Sequence, residues 1–190
     1  ATTFNLRGSN TGNNMVTNLS EGAGNATGGF TKTGTGTWMI AGTSVFPAAS
    51  PLNINEGTLA VLVPDAFGAA TTATVTNSTL RFDGVTLNQA SLNLRNGGNM
   101  QANGTVSVNG VAVGNQAGTT ATLSTLNASD VFTVGTFLGG ASLVTGGAAD
   151  TVLNTAGPGT LVFGQANTYI GKWSFNAATN QITNPSALGT

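Results

Sequence analysis

Residues 29–61, GFTKTGTGTWMIAGTSVFPAASPLNINEGTLAV from Gly29 to Val61, hold one repeat unit and the start of the next. Gly36-Thr37-Trp38-Met39-Ile40 and Gly57-Thr58-Leu59-Ala60-Val61 share a Gly-Thr-apolar opening, and their threonines are 21 positions apart. A period of that length is the signature of a solenoid coil. Within the first copy Thr35, Thr37 and Met39 alternate with Gly36, Trp38 and Ile40, which puts Trp38 and Ile40 on one face of a strand.

Working outward, the pairing of a small hydroxyl residue with a large apolar one recurs at Thr79-Leu80, Thr105-Val106, Thr122-Leu123, Ser142-Leu143 and Thr160-Leu161. From Thr37 the steps are 21, 21, 26, 17, 20 and 18, constant only over the first three copies. Thr17 is expected to mark an earlier coil. Between Thr74 and Leu94 the apolar pairs Leu80/Phe82, Val85/Leu87 and Leu92/Leu94 are separated by polar turns, which divides a coil into three short strands. Pro47 and Pro51 bracket a corner, because proline cannot donate to a central ladder. Asp83-Gly84, Asn96-Gly97, Asn103-Gly104 and Asn109-Gly110 are turn dipeptides. Asn109-Gly110, set between Val106/Val108 and Val111/Val113, also fits a hairpin and with it a β-sandwich or jelly roll.

Composition narrows the chemistry. The 190 residues include 28 Gly, are 39% hydrophobic and 6% charged, carry a net charge of -1 and contain neither Cys nor His. Regular apolar spacing at so low a net charge separates the chain from the disordered class. Without Cys or His there are no disulfides, no thiolate metal sites and no imidazole base, so no metal or cofactor is expected. Arg7, Lys32, Arg81, Arg95 and Lys172 are too few and scattered for a nucleic-acid footprint. The longest uninterrupted aliphatic run, Leu59 to Val63, is far short of the roughly 20 residues of a membrane span.

Candidate catalytic groups are few. Asp65/Asp83 and Asp130/Asp150 are 18 and 20 positions apart, a spacing that would stack each pair on one face of a solenoid. Aspartates at solenoid corners are more often structural, and no catalytic residue is assigned. Gly164 to Lys172 lacks the spacing and hydroxyl of a phosphate loop. Trp38, Tyr169 and Trp173 offer either a sugar-stacking surface or, as the two-residue period favours, inward packing. The glycosylation triplets beginning at Asn18, Asn25, Asn77, Asn103 and Asn127 reflect an Asn- and Thr-rich composition.

Phe30 to Trp38, FTKTGTGTW, and Gly159 to Gly171, GTLVFGQANTYIG, resemble the autotransporter-associated β-strand repeat, and Asn55-Glu56-Gly57-Thr58-Leu59 resembles its final element. The first copy has Thr43-Ser44-Val45-Phe46-Pro47 where the repeat's Asn-Thr-Tyr corner belongs, and Pro158 is an extra residue in the second. The resemblance implies a right-handed parallel β-helix exported to or beyond the cell surface. Ala1-Thr2-Thr3-Phe4 lacks the character of a leader, so a signal peptide is expected to have been removed.

These readings define one β-solenoid domain over 1–190 of about eight or nine coils. Residues 1–28 form irregular first coils or a cap, 29–175 the repeat coils and 176–190 a polar tail. Solenoid ends present open strand edges, normally protected by charge, proline or a covering element. Phe4 and Leu6 lie near one end and Trp173 and Phe175 near the other, with little charge at either. The expected role is a secreted, non-enzymatic structural protein that associates with itself through these four residues into a fibre or surface layer. The alternatives are a passenger or adhesin that binds glycans or cell surfaces and, third, a polysaccharide-acting enzyme.

Overall fold

A computed structural model describes residues 3–12, 14–20, 28–70, 72–87, 91–114, 118–135 and 144–189. Among these residues there is no helix, and twenty short strands pair in parallel in three sheets. Consecutive strands alternate between sheets, so the chain returns to each wall one coil later. This is a parallel β-solenoid.

Coil one holds β1 (Thr3–Leu6) and β2 (Asn14–Val16), coil two β3 (Gly29–Lys32) and β4 (Thr37–Ile40), and coil three β5 (Leu52–Ile54) and β6 (Thr58–Val61). Coil four adds a third strand, with β7 (Thr72–Val75), β8 (Thr79–Asp83) and β9 (Thr86–Leu87). Coil five follows with β10 (Ser91–Leu94), β11 (Asn99–Asn103) and β12 (Thr105–Val108), and coil six with β13 (Val111–Val113), β14 (Thr120–Thr125) and β15 (Val131–Val134). Coil seven carries β16 (Val144–Gly146), β17 (Val152–Ala156) and β18 (Thr160–Phe163). Coil eight begins with Thr168 and Ile170, whose N–H groups donate to Val144 and Gly146, and continues through β19 (Lys172–Phe175) and β20 (Thr179–Ile182).

The first wall is β1-β3-β5-β7-β10-β13-β16, the second runs from β2 to β19, and the third is β9-β12-β15-β18-β20. The third wall starts late for a physical reason. Coils two and three cross that side as turns around Pro47–Ser50 and Asp65–Gly68, where Ser50 N–H donates to Pro47 and Gly68 N–H to Asp65. Phe46 and Phe67 fill the space below, each 5.8 Å from the ring of Phe30.

Alternation sorts each strand into inward and outward residues. Phe30, Leu52, Ala73, Leu92, Val111 and Val144 stack inward on the first wall, and Leu59, Leu80, Met100 and Leu123 on the second. All of these are buried, and each large one contributes about 1.5–3 kcal/mol. Thr37, Thr58, Thr79, Asn99 and Thr122 form an outward polar column on the second wall.

Several expectations are corrected. Asn109-Gly110 is a corner between walls and not a hairpin, since β12 pairs with β9 and β15 while β13 pairs with β10 and β16, and every strand pair among the described residues is parallel, which replaces the sandwich alternative. Thr105 and Thr160 open strands of the third wall while Thr122 remains in the second-wall column of Thr79, so beyond Thr79 the repeat signal falls on two walls. Thr17 lies just beyond β2, and Ser142 is outside the described residues. The 1–28 region contributes β1 and β2 to the stack, and β20 lies in the stretch read as a tail, so the coils continue past 175.

Candidate functional site

Lys32, Glu56, Arg81, Asp83, Asp130 and Asp150 are bonded within or between coils. Lys32 points into the interior between Leu6 and Ile54, fully buried. Its Nζ donates to the carbonyls of Thr33 at 3.2 Å, Gly34 at 2.6 Å and Glu56 at 2.9 Å, which explains the Thr-Lys-Thr-Gly turn. Burial lowers the pKa of this amine, partly offset by the charge of Glu56.

Asp130 is 2% exposed and ties a turn together. Its carboxylate accepts from the N–H groups of Gly104 at 2.8 Å, Leu126 at 3.1 Å and Asn127 at 2.6 Å. Asp83 accepts from Arg81 through two bonds of 2.8 and 3.0 Å and from Asn103 Nδ2, and Asn127 Nδ2 donates in turn to Asn103. The result is a polar ladder of Asp83, Asn103 and Asn127 up one corner. Asp65 and Asp83 do not stack, and neither do Asp130 and Asp150: Asp83 ends β8 on the second wall while Asp65 lies in the turn facing the third, and Asp130 precedes β15 whereas Asp150 precedes β17. Among the described residues no three potential metal ligands cluster.

The described aromatic residues are inward or at corners. Tyr169 is 1% exposed, and its hydroxyl donates to the Thr151 carbonyl at 3.0 Å. Burial pushes its pKa up to about 12. Trp38 and Trp173 are half-buried, and each indole N–H is held by a carbonyl, of Arg7 at 3.0 Å and of Leu188 at 2.8 Å. No exposed aromatic platform forms from these three residues. A separate cleft of about 280 Å³ lies over residues 48–53, Thr72 and Thr74 and is lined by hydroxyl, amide and aliphatic groups.

The ends of the stack carry the remaining candidates. β1 and β2 bound the first coil and β19 and β20 the last, and each pairs with one neighbour only. Phe4 is half-buried on β1, its ring edge-on to Phe46 at 6.2 Å. Leu6 is nearly fully buried within its own coil and offers little direct contact area. Trp173 and Phe175 face inward in the last coil, over Leu153 and Thr155, and stack 5.7 Å apart with 6° between their planes. Phe175 is 42% exposed because no coil covers it.

Sequence reasoning missed Ile170, Ile182 and Leu188, also exposed at this end, and Met15 on β2 at the other. It also missed a cap. After β20 the chain turns at Asn184, whose Oδ1 accepts from Ser186 N–H, and residues 184–189 lie against the start of coil eight. Asn167 N–H donates to Ser186 O, Asn167 Nδ2 donates to Ala187 O, and Ala187 is fully buried. The Asn184-Pro185 dipeptide is the turn signal that marks it.

In comparisons with known proteins, the chain matches no family model, no curated protein and no solved structure.

Proposed function

We propose that this solenoid is a secreted structural subunit that associates end to end into an extracellular fibre or surface layer. The observation that carries this reading is the last coil. Among the described residues, four of the seven exposed large hydrophobic ones, Ile170, Phe175, Ile182 and Leu188, lie in the last coil and the segment after it, near the open edges of β19 and β20. Soluble proteins protect strand edges with charge or proline, and an unprotected apolar edge favours pairing with another chain. At the opposite end β2 offers the other edge of the second wall, to which β19 belongs, and β1 the edge of the first. Contact between unlike ends is heterologous and propagates unless it closes into a ring. The resemblance to an exported repeat family agrees with a location at or beyond the cell surface.

A second reading, a glycan-binding passenger or adhesin, is favoured by the uncharged cleft over Ser50, Asn53, Thr72 and Thr74, whose hydroxyl and amide groups suit a polyhydroxylated ligand. Negative-stain electron microscopy of the purified chain over a concentration series separates the two. The fibre reading predicts filaments of uniform width that lengthen with concentration. Discrete particles at every concentration would remove it and leave the adhesin reading in first place.

A further inference from the structure

The two ends of the first wall are not equivalent, and the difference assigns a partner strand. Resting on the end-to-end reading, we infer that the edge of coil eight at residues 167–169 is the acceptor for β1 of a second copy, and that residues 184–189 are a displaceable cap occupying that place.

The hydrogen-bond alternation of a parallel ladder fixes which groups face outward. Thr168 and Ile170 donate back to Val144 and Gly146, so the backbone N–H and C=O of Asn167 and Tyr169 are directed away from β16, along the direction in which a further coil would add. At the first coil, Thr33 N–H donates to Leu6 O at 2.9 Å, which commits Leu6 and Phe4 to β3. The N–H and C=O of Asn5 therefore face the open side. Laying β1 of a second copy over coil eight in the register used throughout the wall puts Phe4 over Asn167 and Leu6 over Tyr169. Asn5 N–H then meets Asn167 C=O, and Asn5 C=O meets Tyr169 N–H. Donors and acceptors match along the edge, and both strands run in the same direction.

The cap fills this place incompletely. It supplies one backbone acceptor, Ser186 O, to Asn167 N–H, and two further bonds come from the side chains of Asn167 and Trp173. Gly189, at φ +94°, lies against the Tyr169 carbonyl, where a Cβ would collide with it. A β1 strand would instead continue a ladder already seven strands wide. Displacing the cap also frees the indole N–H of Trp173, beside the already exposed Phe175.

Gly189→Val dislodges the cap without altering any strand. The wild-type chain, Gly189→Val and the double variant Gly189→Val/Asn5→Pro are compared by light scattering against concentration, with Trp emission reporting release of Trp173 and circular dichroism reporting retained β structure. If emission does not change, a chain ending at Thr183 replaces Gly189→Val and is judged by the same criteria. The expected result is an assembly threshold at least tenfold lower for the uncapped chain, returned to or above the wild-type value by Asn5→Pro, which removes the outward donor of β1. Equal thresholds for capped and uncapped chains would overturn the cap and leave end-to-end association standing. Assembly of the double variant at the lowered threshold would overturn β1 as the partner strand. No assembly by any of these chains would remove both this inference and the reading it rests on.

Discussion

Tyr169 shows how one side chain holds the last coil and sets its response to pH. Its phenol is buried against Trp173, with ring centroids 5.4 Å apart, and its hydroxyl is bonded to Thr151. The folded chain retains the phenol proton up to about pH 12, against 10.0 for the free side chain. Between these values the native state binds more protons than the unfolded state, so stability falls as the pH rises. The contribution is complete below pH 10 and lost as the pH passes 12. Lys32 acts in the opposite sense, because its lowered pKa makes stability rise with pH as 10.5 is approached. Urea titrations from pH 9 to 12 are expected to show Tyr169→Phe losing the decline above pH 10 that the wild-type chain shows. An unchanged decline in the variant would assign it to another group. Asp130 belongs to the same scale: its three backbone donors make it part of a turn.

At the scale of the strand, alternation decides what a substitution does. Leu80 faces the interior between Leu59 and Met100, while its neighbour Thr79 faces outward between Thr58 and Asn99. Leu80→Ala is expected to cost about 2–5 kcal/mol through lost burial and the cavity left behind. Thr79→Ala should change stability by about 0.5 kcal/mol or less, as outward substitutions do. Similar losses at both positions in chemical denaturation would contradict the inward and outward assignment.

This alternation was the legible part of the sequence. Thr37, Thr58 and Thr79 stack in one column because the coils joining them have the same length. Beyond Thr79 the same Gly-Thr-apolar signal recurs on the third wall, at Thr105 after Gly104 and at Thr160 after Gly159, so spacing alone no longer identifies the wall. The turn residues give corners, and corners of different walls look alike. Among the end residues, Phe4, Trp173 and Phe175 were readable from position and hydrophobicity. Leu6 was not, since its burial depends on Lys32 stacking above it. The cap escaped notice because a polar stretch of Asn, Pro, Ser and Gly reads as a loop, and its docking depends on the long-range partners Asn167 and Tyr169.

At the scale of the whole molecule, eight coils share one continuous buried cluster, and interior contacts repeat from coil to coil. Such a stack has no intrinsic length: the ladder and apolar contacts that join successive coils along the first and second walls can also join coil eight to the first coil of another copy, which has no third-wall strand to meet β20. Low charge reduces the repulsion that opposes that contact, since the 190 residues carry 5 basic and 6 acidic side chains. Association must still exceed the lost translational and rotational freedom, so it depends on ladder and apolar contacts forming together. The most direct measurement is the axial repeat of assemblies by cryo-electron microscopy with helical reconstruction. Coaxial stacking of eight coils at about 4.8 Å each predicts a rise of about 38 Å per subunit, with the 4.8 Å spacing running along the filament axis. A 4.8 Å spacing directed across the axis, a rise unrelated to eight coils, or only isolated particles would contradict it.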